Sequence, residues 1–458
     1  MNGSAIDVMM LCEWPSLNGG EHSMLAVLEL LSPQGGRAAG HPVLPHPAEN
    51  PLPLVAGISA EETPDSGALV QGGRAAGQPV LPHPGEHPLP LVAGIPVLGT
   101  TEISAGAARS PVPVALGLRI AAAAPSAGPL AEALHQRGIE VLPFDWRTAD
   151  GQRLPQGVLR ERLARLLADR RPRLLHANSL SAAVMAGPVV AASGRPGIGH
   201  LRDIVTLSRQ AIDDLSRLDR LIAVSHATRQ FHLAQGLAAD KITVIYNGVD
   251  LDRFRPRPRS GRLHAELGLP DDAVLLGAVG QLGMRKGWEV ILQAMTLCRA
   301  DGPPIHLAAV GEHHSHKPEA DLYVNRLRQF AIERLPGRVH FLGRRDDVAE
   351  LLPELTLLVH AARQEPLGRV LLEAAAAGCA IVATDVGGTR EIFPVDSGAA
   401  CLVPADDPAA LALAIDRLVR SPDERQSLRS AARARAERRF DRRRAAREIL
   451  GEYRRWLA

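Results

Sequence analysis

The sequence predicts an α/β protein built from two doubly wound parallel-sheet domains. Three observations lead there. The chain has 458 residues, more than one ordinary hydrophobic core accommodates. Hydrophobic residues make up 46% of it and aromatic ones only 3%, which suits helices packed over sheets of branched side chains better than an aromatic-rich β-sandwich. Short continuous apolar runs alternate with helical stretches, as expected for strands covered on both faces.

The elements follow in order. "DVMMLCE" near the N-terminus is an apolar run of about five residues without a basic leader; it reads as a buried first strand rather than a signal peptide, and "SMLAVLELL" follows it as a helix. The pattern then breaks. "QGGRAAGHPVLPHPAENPLPLVAGI" at 34–58 returns with three changes as "QGGRAAGQPVLPHPGEHPLPLVAGI" at 71–95. Two copies rich in Pro and Gly cannot stack into a solenoid, so 33–116 reads as an inserted, largely extended loop. Strand-helix pairs resume with "LRIAAAA" and "PLAEALHQRG", "IEVLPF" and "VLRERLARLLADR", "RLLHAN" and "SAAVMAGPVVAAS". Further strands are expected at "LIAVS", "KITVIYN", "VLLGAVG", "IHLAAVG", "RVHFLG", "LTLLVHA" and "AIVATD". That many strands exceeds one doubly wound sheet. Prolines and arginines at 250–267 mark the break between domains. The expected organisation is therefore an N-terminal domain over 1–253, a C-terminal domain over 254–438 and a basic amphipathic helix over 439–458. That last helix carries Ala446, Ile449, Leu450, Tyr453 and Leu457 on one side, a stripe that needs a surface to cover it.

Charge and cysteines exclude some function classes. The net charge is only +2, which gives nucleic-acid binding no support. From Arg429 onward eleven arginines face four carboxylates, a local +7; this is a solvated helix or a contact for an anionic membrane surface or an acidic substrate. Cys12, Cys298, Cys379 and Cys401 are scattered, so neither a disulfide framework nor a zinc site is indicated and a reducing, cytoplasmic setting is expected. No stretch reaches the roughly 18 apolar residues of a membrane span.

The chemistry concentrates at "QEPLGRVLLEAAAAG", 364–378, where Glu365 and Glu373 stand in an apolar run. Pro366 keeps Glu365 out of helical angles and Gly368 suits a helix start, so Glu373 lies inside the helix. At 1.5 Å per residue, roughly 7 Å or more separates Gly368 from Glu373 along the axis, too far for the two carboxylates to share one proton transfer. They can instead hold two ends of a polyhydroxylated ligand, with the free N–H groups at Gly368, Arg369 and Val370 facing an anion between them. On geometry alone, a nucleotide-sugar site and an ordinary helix with one exposed glutamate remain equally open.

"EPLGRVLLEAAAAGCAIVATDVGGTREI" resembles the E-x7-E motif, following strand and glycine loop of retaining glycosyltransferases of family 4, whose fold of two facing Rossmann-like domains is called GT-B. "NGGEHS", "HANSL", "GHLRD", "LIAVSHATR", "VIYNGVDLDRF" and "GQLGMRKG" come in the same order as that family's landmarks, and the resemblance covers nearly everything outside 33–116. It implies a nucleotide-diphospho-sugar donor on the second domain and a sugar or lipid-linked acceptor on the first; the basic C-terminal helix suits a setting in cell-envelope polysaccharide or glycolipid synthesis. Glu365 is expected on the donor sugar's hydroxyls, Glu373 on the ribose, and Lys286 on the diphosphate, whose charge rises as the sugar leaves. Gln281 is neutral where relatives often have arginine, which leaves Arg285 as the candidate second cation. Gly19 and Gly20 are expected to close over the donor with their backbone N–H groups. His200 is expected beside the transferred sugar, through its carbonyl or its imidazole, with Arg202 and Asp203 as acceptor-binding candidates; His176 fits packing as well as function.

The implied reaction is front-face attack by an acceptor hydroxyl, with the leaving diphosphate taking its proton. No metal or other cofactor is expected, because protein cations and a helix start offset the phosphate charge. "DLD" at 250–252 reads as linker and "HHSH" at 313–316 as loop. Two other classes stand against this reading. One is a catalytically silent binding protein of the same fold, and the other a nicotinamide-dependent oxidoreductase, which would need a GxGxxG with a later acidic residue.

Overall fold

A computed structural model describes residues 6–14, 19–31, 117–299, 301–313 and 318–458, all of which belong to one compact unit. The duplicated stretch at 34–58 and 71–95 lies outside the described residues.

Thirteen strands form two all-parallel sheets among the described residues. The first holds β1 (Val8–Leu11), β2 (Ile120–Ala124), β3 (Glu140–Pro143), β4 (Leu174–Ala177), β5 (Gly197–Leu201), β6 (Arg220–Ala223) and β7 (Ile242–Val244) in the order β3-β2-β1-β4-β5-β6-β7. The second holds β8 (Val274–Val279), β9 (Ile305–Val310), β10 (Val339–Gly343), β11 (Leu357–His360), β12 (Ile381–Thr384) and β13 (Cys401–Val403) in the order β10-β9-β8-β11-β12-β13. In each sheet the order reverses at the first strand: Val8 lies between Ile120 and Leu174, and Leu276 pairs with Leu307 and Leu357. These two reversals are where open α/β sheets bind ligands, beyond the carboxyl ends of the strands.

Side chains alternate between two aliphatic layers with the strand period of two. Met9 and Leu11 point into one core layer, and Val8 and Met10 into the other. In the second sheet Leu358 and Leu275 face one layer while Leu357 and Leu276 face the opposite one. Small residues set the spacing. A Cβ on Gly277 would sit 2.2 Å from Leu355 Cδ1, and one on Gly199 would sit 2.7 Å from Leu218 Cδ1, so these strands need glycine for their helices to approach closely.

Two strands escaped the apolar pattern. "GIGHL" (β5) holds two glycines, which β-propensity penalises, and β13 is only three residues long.

The chain passes between the domains twice. Helix Pro422–Arg439 packs Leu428, Ala432 and Ala436 on the second domain. After Phe440 the last helix, Arg442–Leu457, crosses to the first domain and buries Ala446, Ile449, Leu450 and Tyr453 beside Val8, Met10, Met24 and Leu28. Rather than projecting as a tail, it is part of the first domain's core. The two crossings lie side by side: Val249 N–H donates to Phe440 O (2.7 Å), Arg442 N–H to Val249 O (3.1 Å), and a Cβ on Gly248 would meet Arg442 Cα at 2.3 Å. The "DLD" carboxylates serve this junction, Asp250 and Asp252 pairing with Arg442 and Arg443 at 2.8 and 3.1 Å.

Leu450→Ala removes a core side chain and should lower stability by about 2–4 kcal/mol in denaturant unfolding; a loss below about 0.5 kcal/mol, typical of surface changes, would mean the helix is not docked.

Candidate active site

The second domain's sequence reversal between β8 and β11 brings "GQLGMRKG" against "HAARQEPLG". Beyond β8 the chain makes a short 3-10 turn, Met284–Lys286, and then the left-handed Gly287 (φ 62°). A Cβ there would lie 2.0 Å from Ala361 O, so only glycine lets the two segments touch. Arg285 knits them together: its carbonyl accepts from Arg363 N–H at 2.9 Å and its guanidinium donates to Gln364 O at 3.1 Å. Gln281 has an exposed side chain, and its carbonyl takes the Trp288 indole N–H at 2.9 Å.

This contact builds a buried charge constellation that the sequence did not reveal. Lys286 Nζ lies 2.6 Å from Glu365 Oε2, and His360 Nε2 lies 2.9 Å from the same oxygen. Burial alone would raise the Glu365 carboxyl, but the Lys286 ammonium and the His360 hydrogen bond outweigh it and hold the group well below the usual carboxylate range. Burial and Lys286 push His360 below the ordinary imidazole range, so a neutral His360 donates its Nε2–H. Both partners bind Oε2, and Oε1 has no hydrogen-bond partner among the described residues. Lys286 spends one of its three N–H groups here and keeps two.

The Glu365 backbone is held as tightly as its side chain. Gly388 N–H donates to Glu365 O at 2.8 Å, and a Cβ on Gly387 would come within 2.1 Å of that oxygen. From the first domain, the Ser225 and Thr228 hydroxyls donate to Pro366 O. Glu391 completes the junction by accepting from His226 N–H, Ala227 N–H and Tyr246 O–H at 2.8, 2.7 and 2.9 Å, its negative charge lying at a helix N-terminus.

Helix Arg369–Ala376 starts at left-handed Gly368 (φ 102°). Its Leu371 and Leu372 N–H groups turn back to Gly368 O, while those of Arg369 and Val370 have no partner among the described residues, as expected for a first turn. Glu373 is buried, 3.3 Å from Arg369; burial raises its carboxyl, partly offset by Arg369 and Arg253. Packed against the last helix in the first domain is helix Gly19–Leu31. Its His22 is pushed down to about 3 by burial and then by Arg369, Arg253 and Arg344, and Gly19 and Gly20 are the first two residues of this helix.

At the first domain's reversal, His176 (β4) and His200 (β5) are buried and stacked, with ring centroids 5.3 Å apart. Arg202 is committed to this cluster: Nε and Nη2 donate to Asn178 at 2.8 Å each, Nη1 to Asn247 at 3.0 Å, and Nη2 also reaches His200 Nδ1 at 3.2 Å. These bonds hold the cluster together. Asp203 has an exposed side chain, and its carbonyl is taken by His232 Nε2 at 2.9 Å. A second recess, of about 400 Å³, lies beyond β9 and β10 and is lined by Leu282, Gly311, Glu312, Arg328 and Phe341. His313 there lies 3.2 Å from Asp321; the rest of "HHSH" is outside the described residues. Among the described residues no cluster of three or more His, Cys, Asp or Glu is placed to hold a metal ion, and no helix is long and apolar enough to cross a membrane.

Two parallel-sheet α/β domains are an architecture shared with solved glycosyltransferases. The Anabaena protein HepE, solved with UDP-glucose, superposes with a TM-score of 0.70 at 20% identity, covering 98% of this chain and 99% of that one. A Rickettsia africae glycosyltransferase gives 0.65 at 18%, covering 74% of this chain and 91% of the other. The fold is GT-B. Residues 114–253 match the model of Glycosyltransferase Family 4 and residues 260–435 that of Glycosyl transferases group 1, so each domain matches a glycosyltransferase model of its own. Curated relatives include a D-inositol 3-phosphate glycosyltransferase of Streptomyces scabiei, 32% identical over 48% of this chain and 50% of its own length. They also include spore coat protein SA of Bacillus subtilis (28%; 47% and 59%) and the lipopolysaccharide core mannosyltransferase LpsB of Rhizobium meliloti (28%; 48% and 59%). The chain thus spans about half the length of the curated relatives it matches.

Lys286→Met would leave Glu365 buried with one neutral partner, at a cost of about 3–5 kcal/mol near pH 7. The depressed Glu365 contributes stability above about pH 4.5, its unfolded value, and loses it as pH falls through the folded one. Without Lys286, burial raises the variant's carboxyl, which takes up a proton as pH falls and sheds its penalty, so the deficit read by urea unfolding should shrink from pH 7 to pH 4; an equal deficit at both would show that the pair is not ionised as described.

Proposed function

We propose that the protein is a retaining glycosyltransferase that moves a sugar from a nucleotide-diphospho-sugar to an acceptor hydroxyl. The observation that carries the reading is the Glu365 carboxylate, pinned through one oxygen by Lys286 and His360 with the other oxygen left open, beside a helix whose Arg369 and Val370 N–H groups are unspent. Glu365 Oε1 accepts hydroxyls of the donor sugar. The helix start and the two remaining Lys286 N–H groups take the diphosphate. Glu373, buried one turn further, takes the ribose, and the recess beyond β9 and β10 takes the base.

In the reaction the bond from the anomeric carbon to the diphosphate oxygen breaks, and a bond to the acceptor oxygen forms on the same face. The acceptor proton passes to the departing diphosphate. Glu365 is a poor base for that proton because its partners hold it well below the usual carboxylate range, which makes it a clamp for the sugar. The cations and the helix start supply charge that offsets the diphosphate, and the reaction is proposed to run without a divalent metal. The relatives' names, a phosphoinositol glycosyltransferase and a lipopolysaccharide mannosyltransferase, support a setting in envelope polysaccharide or glycolipid synthesis. Docking consumes the apolar side of the last helix, so membrane contact through it would be electrostatic, by outward arginines, without insertion.

Thermal-shift and turnover measurements with UDP-, GDP- and ADP-sugars test this. One donor should stabilise the protein by about 2.7 kcal/mol at a hundredfold excess over its Kd and turn over in the presence of EDTA. Glu365→Gln should lower turnover about 100-fold while the free nucleotide diphosphate still binds. Glu373→Gln should weaken that nucleotide by about 10-fold, the value of one charge-assisted hydrogen bond. No response to any donor, or both variants at wild-type turnover, would overturn the reading.

A further inference from the structure

The C-terminal helix reaches into the first domain's site through one polar atom. Tyr453, buried against Met10, places its hydroxyl 2.7 Å from His176 Nδ1; His176 Nε2 lies 3.2 Å from His200 Nδ1; and Arg202 Nη2 lies 3.2 Å from that same Nδ1. The proton positions along this chain can be worked out, because one end is fixed. Arginine has only N–H groups to offer, and Arg202 is oriented by Asn178 and Asn247. His200 Nδ1 must therefore accept, and its ring proton sits on Nε2. His176 Nε2 faces that accepting atom and must donate, which leaves His176 Nδ1 as an acceptor for the Tyr453 hydroxyl. The reverse polarity would turn the Tyr453 O–H to Met10 Sδ, a weak acceptor at 3.4 Å, and would set a His200 N–H against the Arg202 N–H.

From this geometry we infer that Tyr453 is a positioning residue: through His176, and together with Arg202, it holds His200 as a hydrogen-bond donor whose N–H is on Nε2. Both rings stay neutral, since burial and the adjacent guanidinium push them below the ordinary imidazole range. His200 Nε2 has no partner among the described residues, and the ring lines a narrow cavity of about 20 Å³ shared with Asn178 and Tyr246, room for about one water. A histidine with its accepting nitrogen occupied cannot remove a proton. If the proposed transfer reaction holds, His200 orients a sugar oxygen by donating to it through the one water the cavity admits, and the acceptor proton must leave by another route. The last helix, distant in sequence from every strand of the first domain, is then required for the site's chemistry as well as for its packing.

Long-range ¹H–¹⁵N spectra of the full chain labelled with ¹⁵N-histidine read the ring protons directly, with His176→Asn and His200→Asn for assignment. His200 and His176 should each show a protonated Nε2 and an unprotonated Nδ1, unchanged across about pH 6 to 8, where a free histidine titrates. In Tyr453→Phe the His176 Nδ1 resonance should move as it loses its donor. Ile449→Ala, which loosens the same helix without removing the hydroxyl, should leave it in place. A His200 proton on Nδ1, a charged His200 at pH 7, or an unmoved His176 Nδ1 in Tyr453→Phe would overturn the inference. Activity is the separate arm: Tyr453→Phe should lower kcat about 10-fold by misaligning His200, with donor KM unchanged. A shifted spectrum with unchanged kcat would count against a role for His200 in transfer while leaving the relay standing.

Discussion

The ion pair between Lys286 and Glu365 is the constraint on which the rest of the site depends. A buried carboxylate is costly unless charge and hydrogen bonds compensate it; here two separate segments compensate it and a third holds its backbone. Lys286 arrives from the loop after β8, His360 from the end of β11, and the Glu365 backbone is gripped by the Gly387–Gly388 loop after β12. Each segment can approach only because glycine stands at Gly287, Gly368, Gly387 or Gly388, where a Cβ would collide with neighbouring atoms. The arrangement occupies one carboxylate oxygen and leaves the other without a hydrogen-bond partner among the described residues.

The first domain contributes to the same constraint from outside. Ser225 and Thr228 bond the carbonyl of Pro366, the residue next to Glu365, and Glu391 of the second domain caps the helix that begins at His226. The Glu365 segment is thus tied to the position of the first domain. The C-terminal helix adds a second tie by leaving the second domain at Phe440 and completing the first domain's core.

Much of the fold was legible. Continuous apolar strands separated by helices announced two parallel sheets, and the apolar stripe of the last helix announced a docking surface. The glycine-rich β5 and the three-residue β13 were not legible from that pattern, because their strand character comes from close helix packing and from an edge position, which local propensity does not encode. At the site, the motif placed Glu365 before the helix and Glu373 within it, as observed. Spacing could not show that Lys286, 79 residues away, would bind Glu365, nor that Arg202 would turn inward onto Asn178. His360 passed as one more residue of an apolar strand, and the Pro366 carbonyl carried no signal at all. Pairings of this kind are set by which loops meet at a sheet's reversal, information that only topology supplies.

The most direct test of the donor clamp is a crystal structure of the protein with a nucleotide-diphospho-sugar that it binds. The account predicts diphosphate oxygens on the Arg369 and Val370 N–H groups, a sugar hydroxyl on Glu365 Oε1, and the bonds of Lys286 and His360 to Oε2 intact. A donor bound with Glu365 Oε1 unoccupied, or with its diphosphate away from the helix start, would contradict it.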